Sequence, residues 1–74
     1  KKGGVIMDWK SLPGFSLYEI DRYGRIRNKK TKHILRRYSK KDGREHVVLY
    51  EKQERYYRSP SKLAKEVWGN LYLS

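Results

Sequence analysis

No cysteine occurs among the 74 residues, which excludes a disulfide framework or a thiolate-bound metal and fits a reducing, intracellular setting, here expected to be the cytoplasm. Long apolar runs are missing too. No stretch approaches the roughly 20 residues that span a bilayer, and no segment sets a basic face against a broad Leu/Phe face, so no membrane role is expected. A secretory signal is not visible. Acids are scarce: eight Asp and Glu stand against 19 Lys and Arg, for a formal net charge of +11 and a pI of about 10.1. So small a domain buries only about 60% of its unfolded surface and is marginal. Self-repulsion at this charge therefore points to a polyanionic partner, with nucleic acid first.

Catalytic chemistry is equally thin. His33 and His46 fall on separate predicted strands with no acid cluster near either, so no metal-ligand spacing exists. The carboxylates are scattered, and Asp42 is explained by turn chemistry. Ser11, Ser16, Ser39, Ser59, Ser61 and Ser74 lack an activating neighbour. Gly24 and Gly43 are isolated, so no phosphate-cradling loop is present. No catalytic residue, metal or cofactor is assigned.

What is present is a succession of hairpin signals. Residues 1–8 read as a flexible basic lead-in, and Trp9 with Leu12, ahead of Pro13-Gly14, predicts a turn whose large side chains cap the core. From Leu17 the pattern has period two, with Tyr18 and Ile20 on one face and Glu19 and Asp21 on the other. Arg22-Tyr23-Gly24 is the turn, and Arg25-Ile26-Arg27 a second strand with Ile26 inward and both guanidinium groups outward. After a polar turn over residues 28–32, a third strand is expected over His33–Ser39. The Asp42-Gly43 turn leads to a fourth over Arg44–Tyr50, with a fifth over Arg55–Arg58. Ser59 is an N-cap and Pro60 a first helical residue. Leu63, Ala64, Val67 and Trp68 line one side of the helix, Lys62, Lys65 and Glu66 face water, and Gly69-Asn70 stops it. The expected class is α+β: a small antiparallel β-sheet of successive hairpins with one C-terminal α-helix packed on it, a single domain over residues 9–74.

The basic residues cluster. Arg22, Arg25, Arg27, Lys29, Lys30 and Lys32 surround the first hairpin, and Arg36, Arg37, Lys40, Lys41 and Arg44 the second, with Tyr23, Tyr38 and Tyr50 interleaved. Between Arg22 and Arg44 these eleven cations meet one acid, Asp42. Long cationic side chains on a twisted sheet can follow a phosphate backbone, with arginines also suited to guanine edges and lysines to phosphate. These eleven residues are the candidate nucleic-acid-binding set.

The run Trp9-Lys10-Ser11-Leu12-Pro13-Gly14-Phe15, followed by Tyr18-Glu19-Ile20, Gly24-Arg25-Ile26-Arg27 and Leu35, resembles the nuclease-associated modular domain of the fourth class (NUMOD). That domain is found at the amino end of phage HNH homing endonucleases. Asp42-Gly43 with Val47 and Leu49 is similar to its next hairpin, and Lys62-Leu63-Ala64 loosely to the start of its helix. The family pattern departs at Arg44, where an aromatic is usual, and at Pro60-Ser61, where a His-Arg pair is usual. The resemblance implies a sheet that docks on duplex DNA and positions a separate nuclease module, with Arg25 and Arg27 as leading contacts. Because the His-Asn-His unit would begin where this sequence ends, the expectation is a monomeric module, or relic, that binds and does not cut. Two alternatives stay open: a small phage-type regulator of transcription that binds a host protein such as RNA polymerase, and an RNA binder. The ribonucleoprotein strand signature is absent.

Overall fold

Six short strands, a helix and a final 3-10 turn make up the computed structural model, which describes residues 8–73. The lead-in expected over residues 1–8 lies outside them except for Asp8. Strands β1 (Trp9–Ser11), β2 (Tyr18–Asp21) and β3 (Ile26–Asn28) form one antiparallel sheet in that order. Strands β4 (Tyr38–Ser39), β5 (Glu45–Glu51) and β6 (Glu54–Arg58) form a second. Helix α1 spans Pro60–Trp68, and Gly69–Leu71 closes it as a 3-10 turn. The class is α+β, as expected, but the hairpins divide between two sheets.

The division has a local cause in the segment expected as a third strand. Only Tyr38–Ser39 of it is strand; upstream it meets β3 through a single bridge, Arg27 to Ile34. Consecutive Ile34 and Leu35 cannot both face the core, and Leu35 is the half-buried one. Arg37 then ties the segment back to its neighbours, Nη2 donating to the Gly24 carbonyl (2.9 Å) and Nη1 to Glu45 (3.0 Å). At the other end the expected Trp9 turn is a strand, β1, with Trp9 paired to Asp21 and only half-buried. Leu12 is the residue of that pair that enters the core.

One core serves both sheets. Tyr18, Ile20 and Ile26 from the first meet Val47 and Leu49 from the second beneath Leu63, Ala64 and Trp68 of the helix, with Leu12 and Phe15 from the β1–β2 connection. Burying side chains of this size stabilises by about 1.5–3 kcal/mol each. Buried polar groups are spent on joining the parts. The Tyr18 hydroxyl accepts the Tyr50 amide at 3.1 Å, Trp68 Nε1 donates to the Ile20 carbonyl at 3.2 Å, and the Leu73 amide donates to the Arg22 carbonyl at 2.8 Å. The helix begins as its sequence predicts: Ser59 Oγ accepts the Lys62 amide, and Pro60 needs no partner for the amide it lacks.

Two turns rely on the left-handed region. Gly24 has φ +86°, a conformation that demands glycine, and a Cβ there would also crowd Arg37 Nη2 at 3.1 Å. The β5–β6 loop instead places Lys52 and Gln53 at φ 52° and 68°, the two-residue geometry that matches strand twist but disfavours side chains.

Candidate nucleic-acid interface

The structure sorts the eleven candidate cations by what they touch. In the first sheet the arginines are committed to neighbours. Arg25 Nε donates to Asp21 Oδ2 at 2.7 Å, and the other oxygen of that carboxylate accepts the amides of Tyr23 (3.0 Å) and Arg25 (2.8 Å). Asp21 is only 2% exposed, so these bonds compensate a buried charge. Arg27 Nε donates to Glu19 while its guanidinium lies 3.8 Å from the centre of the Trp9 ring. Lys32 adds a second cation, 3.6 Å from Glu19. Burial acts to raise the Glu19 carboxyl, but the hydrogen bond and charge of Arg27, with Lys32, outweigh it and hold the group below the ordinary carboxylate range. Arg22 rests 6.0 Å from the Trp68 ring, and Lys29 is half-buried.

Cations of the second group, with Lys30 of the first, stand further out. Lys30, Arg36, Lys40 and Lys41 are exposed, and among the described residues none has a carboxylate within ion-pair distance. Arg44 pairs with Asp42 at 3.5 Å, but its side chain is 84% exposed, so the pair adds little to stability. Arg37 is the exception, because it braces Gly24 against Glu45.

The fold brings some of these residues to one place. An open cleft of about 730 Å³ lies between the β4–β5 turn and the start of α1, lined by Arg37, Lys40, Arg44 and Lys62 with Ser59 and Ser61 beside them. Its one carboxylate, Glu45, is bound to Arg37. Four cations from segments about twenty residues apart can therefore meet one anionic chain. Lys30, Lys32 and Lys41 do not line this cleft, and Arg36 belongs to a different hollow, shared with Arg55. Sequence reasoning does not single out Lys62 or Arg55. Lys62 reads as a solvated helix position, and only tertiary packing sets it beside Arg44. Arg55 donates from Nη1 to the Tyr57 hydroxyl at 3.4 Å, a contact that pushes its pKa up.

For other chemistries the described residues offer little. They include no group of three or more His, Asp or Glu placed to hold a metal ion, and no helix long and apolar enough to cross a membrane.

A family model described as the NUMOD4 motif matches residues 7–50, more than half of the chain. Among solved structures, the fold is similar to that of the HNH homing endonuclease I-HmuI, whose structure describes DNA binding and cleavage, with a TM-score of 0.76 and 21% sequence identity. The likeness covers 84% of this chain and 36% of that one, so this chain spans little more than a third of the endonuclease chain it matches. A comparison with curated proteins found no match.

Proposed function

The chain belongs to the NUMOD4 family, and from that premise we propose that it is a DNA-binding module that docks on duplex DNA as the targeting part of an HNH homing endonuclease, cutting being left to a separate unit. The observation that carries this reading is the cleft in which Lys40, Arg44 and Lys62 converge, beside Arg37, with the single carboxylate already neutralised. Phosphates along a DNA strand suit such a row of long cationic side chains, and each one neutralised releases counterions. Arg37 holds the scaffold, whereas Lys40, Arg44 and Lys62 supply the phosphate contacts, joined by the exposed Lys41, Lys30 and Arg36. Arg25 and Arg27 contribute by keeping the first hairpin rigid, since both are held by carboxylates.

Binding to duplex DNA across a salt series tests this. Six phosphate contacts give a log–log slope of roughly −5.4, and the Lys40→Ala/Arg44→Ala/Lys62→Ala variant should lose about 2.7 of it. An unchanged slope in that folded variant would overturn the cleft assignment. Structured RNA bound more tightly than DNA at the same salt would move the reading to RNA.

A further inference from the structure

The outward face of the second sheet differs in kind from the cleft. Cross-strand register sets Tyr38 opposite His46, Tyr57 opposite Val48 and Arg55 opposite Tyr50, and directly opposed residues share a face. The tyrosines stay 47%, 53% and 49% exposed at positions 38, 57 and 50. Between two of them the His46 ring stacks on Tyr38 (centroids 5.7 Å, 30° between planes) and meets Tyr57 edge-on at 5.6 Å. His46 Nδ1 is buried there without a hydrogen-bond partner, which stability alone would not select. Every carboxylate of β5 and β6 has the other parity: Glu45, Glu51 and Glu54 share the face of Val47 and Leu49. A hollow of about 290 Å³ opens on this acid-free face, bordered by Tyr38, Tyr50, Leu35 and Val48 together with the cations Arg36 and Arg55.

We propose that this hollow takes a single unstacked nucleobase from the bound DNA strand. The inference rests on the DNA-binding reading and deepens it. Its volume lies just below the range for ligand pockets, about 300–1,000 Å³, which suits one base rather than a duplex edge. Aromatic rings beside cations are the surface on which unpaired bases stack, because every base offers a π-face, while the cations hold the flanking phosphates. A chain of net charge +11 with no carboxylate on this face does not repel that strand. Inside a paired duplex the base faces are covered, so the exposed tyrosines have their use where a base leaves the stack.

The test compares a fully paired duplex with the same duplex carrying one unpaired 2-aminopurine, whose fluorescence falls on stacking. The chain should bind the bulged duplex at least about fivefold more tightly, the lower end of what one stacked base contributes, and quench the probe. Tyr38→Ala/Tyr50→Ala should remove the preference and the quench while leaving paired-duplex affinity within about twofold, and Tyr38→Phe/Tyr50→Phe, which keeps the rings, should retain both. Equal affinity of the unaltered chain for the two duplexes overturns the base hollow and leaves the DNA-binding reading standing. Failure to bind either overturns both. Loss of paired and bulged binding alike in the folded Ala variant would make the face a duplex-docking surface instead. A dimeric mass that becomes monomeric in that variant would assign the face to a second copy of the chain.

Discussion

In the first sheet each outward guanidinium meets a carboxylate, Arg25 against Asp21 and Arg27 against Glu19 under the Trp9 ring, whereas the outward face of the second sheet carries three half-exposed tyrosines and Arg55 with no acid among them. Both sheets share a core and a helix. The difference lies in where the acids sit on the pleat. Glu19 and the buried Asp21 share the face opposite Tyr18 and Ile20 and neutralise the hairpin's arginines; Glu45, Glu51 and Glu54 share the face of Val47 and Leu49 and leave the opposite face acid-free. A basic sequence can thus spend its cations on itself in one hairpin and on a partner in the next.

The comparison breaks first at Asp21. Replacing it by Ala leaves two backbone amides and Arg25 without their buried acceptor and should destabilise the domain by about 3 kcal/mol, read by thermal or urea unfolding. A cost below about 1 kcal/mol would mean that the first sheet does not depend on its charge pairing. Next comes Tyr18→Phe, which removes only the hydroxyl that accepts the Tyr50 amide across the two sheets; roughly 1–2 kcal/mol should go, with the salt slope of DNA binding unaltered. The smallest effect concerns acid. Because the folded Glu19 carboxyl sits below its unfolded value, its contribution is complete above that value, about 4.3, and disappears as pH falls through the folded one. Melting temperatures taken from about pH 6 down to 3 should therefore fall less steeply in Glu19→Gln than in the unaltered chain. Parallel curves would remove Glu19 from the account.

Much of the architecture is legible in the residues. Period-two alternation around Tyr18 and Ile20, Asp42-Gly43 ahead of Val47 and Leu49, and Ser59-Pro60 ahead of the helix each carry a local physical signal, and each element forms where that signal lies. The segment His33–Ser39 does not, because two adjacent aliphatics offer a strand no consistent face and Arg37 finds a better partner in the Gly24 carbonyl. Trp9 misleads for a related reason: a lone aromatic near hydrophobic residues reads as core, while its strand pairing turns it toward Arg27. The candidate site is legible as composition and not as geometry. His46, Val48 and Tyr50 are visible as the second parity of β5, but Tyr38, Tyr57 and Arg55 join them only through cross-strand register. Lys62 likewise reaches the cleft by helix docking.

The hydrogen bond from the Leu73 amide to the Arg22 carbonyl, with Trp68 Nε1 on the Ile20 carbonyl, works as a bolt between the chain's last described residues and its first hairpin. Cargo joined after residue 73, whether a fluorophore, a reporter enzyme or a nuclease, would inherit a bearing set by β2 instead of swinging on a tether. The reach of such a fusion along DNA would then be measured as one sharp distance. Cutting that bolt, by Trp68→Phe and a proline at position 73, would blur it.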